Sequence, residues 1–428
     1  MDGAKISVLY LASRSPYPTV GGREKLVAQS IEFLARDFDL HLVVFCKYGE
    51  SLDVTPYANI RCKSVTVFYL PKLLSIVWNI MTRGGYSLQE NLFYSRESDF
   101  GLRAIANRRI DVVIADMLRT GQFCEDLKIP KVIDLDDLLS ERYRKSLAGK
   151  KRHAIFGTFS EKIPAILSLV EPYLRVILLK KEAKNMGRRE QEATVRFDAA
   201  LLTSEWEAAK LRASSGKTEI FANPQATTIP AVCWRGTQPN AGEMNCFFIG
   251  NLKTAQNLAA VEYIVDEIFP LLRAKGNTPI LHAVGTFDDR VEQIVALGNS
   301  VNLHGFVSDY IEIANSCQFA MMPMTGGTGV KTKILDIMAL GMPIVTNSNG
   351  VEGLSVSNKN EIMIGDTPGE LADYAQMLVN DKAITESLAK NARNYVAKFH
   401  EPGRLMDQYC DLIRGLADSR RGYVDDFA

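Results

Sequence analysis

Short apolar runs alternate with amphipathic stretches along most of the chain. Residues 6–12, 40–46, 111–115, 131–134 and 199–203 are dominated by Val, Ile, Leu and Ala, and the first is followed by a helical pattern over 23–36. Runs this short and this continuously apolar predict strands buried on both faces, and the helical pattern between them predicts parallel sheets covered by helices. A second series begins at 246–249, continues through 280–284, 301–303 and 320–322, and ends with 344–346 and 362–364. Between the series, residues 223–245 hold Pro224, Pro230 and Pro239 among Thr, Gln and Ala, which reads as a linker. The pattern predicts an α/β chain of two doubly wound domains. The first spans 1–228 and the second 229–403, and 404–428 form a closing helix that packs back on the first domain.

One segment, residues 322–354, breaks this regularity with chemistry. Gly326-Gly327-Thr328-Gly329 feeds a stretch carrying Lys331, Lys333 and Asp336, with Ile334, Leu335 and Met338 at helical spacing. The helix should stop at Gly341 and Pro343. Ile344-Val345-Thr346 is then a short strand and Asn347-Ser348-Asn349-Gly350 a second turn. A loop and a helix N-terminus bearing two ammonium groups can meet one anion, and a phosphorylated ligand is the simplest occupant. Gly329-Val330-Lys331-Thr332 does not meet the P-loop spacing, because Val330 separates glycine from lysine.

Composition changes the picture mainly by exclusion. Lysine plus arginine and aspartate plus glutamate each number 50, so no general attraction to nucleic acid is implied. The seven cysteines are scattered without a C-x-x-C pair and the five histidines form no ligand cluster, so neither a disulfide framework nor a metal site is expected. The first residues lack a charged stretch leading into a long apolar core, which makes a reducing cytoplasm the expected location.

The 322–354 segment resembles the donor-binding segment of glycosyltransferase family 4, the retaining, nucleotide-sugar-dependent enzymes of the GT-B fold. The resemblance rests on Gly327, Gly329, Lys331, Lys333, Ile334, Leu335, Asp336, Ala339, Gly341, Pro343, Ile344 and Val345. It extends to Phe247-Phe248-Ile249-Gly250-Asn251-Leu252 with Asn257, to His304-Gly305-Phe306-Val307-Ser308-Asp309, and to Gly350-Val351-Glu352-Gly353-Leu354. The loop 13–22, ending in Gly21-Gly22, is similar to the family's P-x-x-x-G-G loop. The resemblance implies two Rossmann-like domains facing across a cleft. In it Lys331 and Lys333 would neutralise the donor diphosphate, Asp336 would bind the ribose, and Gly305 and Val307 would lie by the base. Gly21, Gly22, Gly250, Gly327 and Gly329 would let backbone approach the donor. Glu352 is a further candidate, with capping of the next helix as its alternative. Thr328 stands where many members have a sugar-binding glutamate, and Lys331 where arginine is commoner.

The implied reaction is sugar transfer from a nucleoside-diphosphate donor to a glycan or lipid-linked glycan hydroxyl, as in bacterial surface polysaccharide or glycolipid assembly, with no cofactor or metal required. Asp116 follows the run 112–115 at a sheet's carboxyl edge and is the first candidate for an assisting base, ahead of Asp134, Asp136 and Asp137. A nucleotide-sugar epimerase and a non-catalytic nucleotide-sugar binder are the alternative readings. Residues 141–189 hold 13 Lys or Arg against four Asp or Glu, interleaved with apolar residues. That pattern suits peripheral contact with an anionic membrane surface, while the apolar run 73–81 is too short to span one.

Overall fold

The computed structural model describes residues 5–19, 22–148, 172–215, 219–237, 242–289, 291–292, 300–326 and 329–425. Residues 1–223 with 406–428 form one compact unit, and 224–405 form another.

The first unit is built on β1 (Ser7–Ala12), β2 (Asp39–Cys46), β3 (Ser64–Tyr69), β4 (Val112–Asp116), β5 (Lys131–Asp136), β6 (Ala199–Leu202) and β7 (Glu219–Ala222). All pairings are parallel, in the order β3-β2-β1-β4-β5-β6-β7. Parallel strands need crossovers, and covering helices bury both sheet faces, which is why β4 and β6 are buried at every position. The helices used below are α1 (Gly22–Asp37), α2 (Leu73–Thr82), α3 (Leu88–Asn91), α4 (Leu139–Ala148) and α5 (Pro172–Arg196). The edge strands β3 and β7 are absent from the runs read in the sequence. Most of β3 is only half-buried, and β7 is four residues long.

The second unit contains β8 (Glu243–Ile249), β9 (Thr278–Val284), β10 (Val301–Gly305), β11 (Phe319–Met321), β12 (Ile344–Thr346) and β13 (Met363–Ile364). They are also parallel, ordered β10-β9-β8-β11-β12-β13. Strand β8 starts inside the stretch read as a linker, because Met244 alternates with polar Glu243 and Asn245 yet is fully buried in the core. Helix α6 (Ala255–Tyr263) follows β8, and α7 (Thr332–Leu340) connects β11 to β12. Gly341 ends α7 in the left-handed region, with φ 76°. The last helix, α8 (Pro402–Asp425), puts Met406, Tyr409, Cys410, Ile413 and Ala417 into the core of the first unit beside Val8, Tyr10 and Val112.

In each sheet the strand order reverses once, between β1 and β4 and between β8 and β11. Loops leaving the carboxyl ends of such neighbours run in opposite directions and open a crevice, which is where open α/β sheets bind ligands.

Candidate functional site

At the reversal in the second unit, β11 leads through a loop into α7. Lys331 occupies the helix N-cap in extended conformation, φ −89° and ψ 96°, and no side chain caps that end. An uncapped N-terminus keeps the positive end of the helix dipole available to an anion. The Lys331 ammonium, buried to 9% exposure, donates to the Gly329 carbonyl at 2.6 Å and lies 3.6 Å from Glu352 Oε2. Two residues on, Lys333 donates to Asn257 Oδ1 and sits 5.2 Å above the Phe248 ring. Burial, then the neighbouring Lys331 charge, pull the Lys333 ammonium down to about 8. Glu352 thus sets a carboxylate beside this pair of cations, of which Lys331 is buried and Lys333 half-buried.

Asn257 is the residue that sequence reasoning left without a role. Its Nδ2 donates to the Asn251 carbonyl at 2.8 Å, which turns its oxygen toward Lys333. It fits because position 250 is glycine: a Cβ on Gly250 would stand 2.8 Å from Asn257 Nδ2. Gly285 backs the same loop with φ +144°, and a Cβ there would lie 1.9 Å from the Gly250 carbonyl oxygen, so this crossing of two backbones requires glycine. Its sequence signals are its place in the family resemblance and in the first turn of the helix that follows a glycine loop.

Asp336 lies one turn beyond Lys333. It is half-buried, and its charge adds to burial in pushing the Tyr310 hydroxyl up to about 12. Tyr310 stacks on Phe247 with ring centroids 5.7 Å apart. The loop after β12 is tied to the loop after β11 by Asn347, which receives the Met324 N–H and donates to the Met324 carbonyl, both at 3.0 Å. Glu352 lies in a turn with no helix starting beside it, the next being Pro368–Asn380 with Thr367 as its cap, so the capping alternative gives way to the contact with Lys331.

Gly250, Gly329, Lys331, Lys333, Asp336 and Glu352 thus gather around the loops after β8, β11 and β12. Gly305, with φ +72°, and half-buried Val307 lie at the carboxyl end of β10. Gly22 opens α1 in the first unit. Gly21, Gly327 and Thr328 lie outside the described residues, as do residues 149–171 of the basic segment.

Asp116 ends β4 at the reversal of the first unit and is fully buried. Arg23, in the first turn of α1, bonds its Oδ1 through both Nε and Nη2, and the Ser13 N–H donates to Oδ2 at 2.8 Å. Burial alone would raise this carboxyl, but Arg23 and Ser13 hold it at about 2. A carboxylate so committed is an ion-pair partner rather than a poised base. Asp134 and Asp136 approach the same guanidinium at 3.2 Å and 3.3 Å, whereas Asp137 pairs with Arg142.

Residues 243–381 match the family model described as glycosyl transferases group 1. An uncharacterised 44.6 kDa protein in the cps region of Klebsiella pneumoniae is 25% identical over 167 residues, 37% of this chain and 42% of that one. The alignment therefore covers less than half of that relative. Among solved structures, sucrose-phosphate synthase from Thermosynechococcus elongatus superposes with a TM-score of 0.62 at 15% identity, over 96% of this chain and 100% of that one. The Anabaena protein HepE, solved with UDP and glucose, gives 0.60 at 14% identity, over 96% and 99%. The chain has the GT-B fold of two Rossmann-like domains, and its second domain carries the segment that matches glycosyl transferases group 1.

Proposed function

We propose that the chain is a retaining glycosyltransferase of family 4 that moves a sugar from a nucleoside diphosphate to a hydroxyl of a glycan or lipid-linked glycan, in bacterial surface polysaccharide or glycolipid assembly. The observation that carries this reading is the pair of ammonium groups, Lys331 buried and Lys333 half-buried, at the uncapped N-terminus of α7. The anomeric carbon–oxygen bond to the diphosphate breaks, and a bond to the acceptor oxygen forms on the same face. The acceptor proton passes to the departing phosphate oxygen. Charge build-up on that leaving group is what the site must stabilise, and in this reading Lys331, Lys333 and the helix dipole supply that stabilisation. Charge-assisted hydrogen bonds contribute about 1.5–3 kcal/mol each and the helix end about 0.3–1 kcal/mol, so the lysines dominate. Asp336 is the ribose ligand in this reading, and Gly305 and Val307 border the base. The UDP-bound relative supports a nucleotide donor.

A thermal-shift screen against UDP-, GDP- and dTDP-sugars tests the donor, since a ligand at a hundred times its Kd stabilises by about 2.7 kcal/mol. Release of nucleoside diphosphate with a glycolipid extract then tests transfer. Binding without release identifies a nucleotide-sugar binder instead, and no shift with any sugar overturns both.

A further inference from the structure

Helix α2 is inverted relative to the rest of the fold. Asn79 is its one buried residue, donating to the Asn91 carbonyl at 3.1 Å and the Tyr94 carbonyl at 2.8 Å. Leu73, Leu74, Val77, Trp78, Ile80 and Met81 are all exposed, Leu74 to 84%, Met81 to 76% and Trp78 to 63%. At about 100° per residue these six fill an arc of about 160° centred opposite Asn79, so the asparagine fixes the helix with its apolar side in water. Exposed Tyr48 extends the patch. It packs edge-on against Tyr69 at 6.3 Å and under the Lys72 ammonium at 4.7 Å.

A second feature adjoins it. Lys180, Lys184 and Arg188 recur every four residues along α5 and, with Arg144 of α4, line a groove of about 420 Å³ without an acidic side chain among its lining residues. Arg188 also donates to the carbonyl of Gly85, just past the end of α2, which joins the cationic groove to the apolar helix. Residues 54–89 include Arg61, Lys63, Lys72 and Arg83 and no aspartate or glutamate, in a chain with 50 acidic residues.

We propose that α2 and the α4–α5 groove form one docking face for an anionic lipid bilayer. The apolar side of α2 enters the headgroup boundary and the groove receives lipid phosphates. Ten residues rise about 15 Å, half of a bilayer core, and no helix among the described residues is long and apolar enough to cross a membrane, so α2 lies in the interface. Tryptophan and tyrosine favour that depth, and each cation near an anionic leaflet raises binding about fivefold. Glu141 pairs with Arg144 and Glu192 lies 3.5 Å from Arg188, so Lys180 and Lys184 are the groove's cations for an anionic headgroup, which an apolar protein partner would not supply. The face deepens the acceptor half of the function proposed above by naming the surface on which a lipid-linked acceptor would be met, and docking itself needs no turnover.

Flotation of the full chain with phosphatidylcholine vesicles, with and without 30% phosphatidylglycerol, tests it. Association with the anionic vesicles is expected, falling at least about tenfold in L74S/W78S/M81S and becoming weak and salt-independent in K180E/K184E. Tryptophan emission should shift to the blue on binding, and lose that shift in W78F. The substituted side chains are exposed, so an unchanged melting temperature and an unchanged nucleotide-sugar thermal shift certify the fold. Undiminished flotation of L74S/W78S/M81S overturns the proposal. So does an absence of flotation, including the case where sedimentation shows an α2-dependent dimer. Flotation without any nucleotide-sugar shift would leave docking standing and remove the donor reading, and the converse result would do the opposite.

Discussion

The crevices at the two strand reversals occupy equivalent places in their sheets and are filled in opposite ways. Between β1 and β4 the protein supplies both signs of charge itself: Arg23 is gripped by Asp116, with Asp134 and Asp136 alongside. Between β8 and β11 it supplies cations, Lys331 and Lys333, with half-buried Glu352 as a 3.6 Å contact to one of them. The first cluster is electrostatically answered from within, so removing its cation should damage the fold. The second sets two neighbouring cations, one buried and one half-buried, at a helix N-terminus, so removing a cation there should cost binding and spare stability. The difference separates structural from functional burial of charge without reference to any relative.

The largest effect is expected for Arg23→Met. It leaves two buried carboxylates, Asp116 and Asp134, and half-buried Asp136 without their cation, and should lower unfolding free energy by about 3–5 kcal/mol in denaturant titrations. A loss under 1 kcal/mol would mean that the cluster is hydrated and that the comparison fails.

Lys333→Met is its mirror image. Nucleoside diphosphate affinity measured by calorimetry should fall about 10–100-fold while the melting temperature holds or rises, since a charge-assisted bond is lost from the complex and a desolvated ammonium from the free protein. Unchanged affinity in both this variant and Lys331→Ala would assign the lysines to the fold.

Raising pH should act on the second crevice in the same direction. With Lys333 at about 8, its charged fraction drops about tenfold between pH 7 and pH 9, so diphosphate affinity should fall by a comparable factor. Binding at pH 9 should take up one proton, visible as a dependence of the heat on buffer ionisation. Stability runs the other way: because the folded-state value lies below the ordinary 10.5, stability attributable to Lys333 grows as pH rises from about 8 toward 10.5. A flat affinity profile across this range would place Lys333 outside the phosphate contact.

The smallest effect belongs to Asp336→Asn. It should weaken a nucleoside diphosphate about fivefold and inorganic diphosphate hardly at all, with no change in melting. Equal weakening of both would make Asp336 an electrostatic neighbour rather than a ribose ligand.

The two crevices also differ in how far the sequence disclosed them. Lys331, Lys333 and Asp336 fall within six residues of one another, after a glycine loop, so their convergence is local and readable. The Arg23 cluster joins residues 93 to 113 positions apart and leaves no pattern in sequence, which is why Asp116 reads there as a candidate base. Asn257 is named by the resemblance, but its bond to Lys333 across 76 positions is hidden for the same reason. The central strands are legible because burial on both faces demands unbroken apolar runs. At the edges that demand relaxes: β3 is half-buried and β7 alternates, and neither stands out. The start of β8 is masked likewise by polar Glu243 and Asn245.

The crossing of α8 into the first unit has a consequence for biosynthesis. Met406, Tyr409, Cys410 and Ile413 complete the core around Val8, Tyr10 and Val112, but they leave the ribosome only after the entire second unit has been made. At about 5–20 residues per second that is a delay of roughly 10–40 s. During it the face of the first sheet awaiting α8 has no native cover, while residues 224–405 already hold all of their own strands. The domain that begins first is therefore the one that finishes last, and a chaperone acting on the nascent chain would find its substrate on that open face.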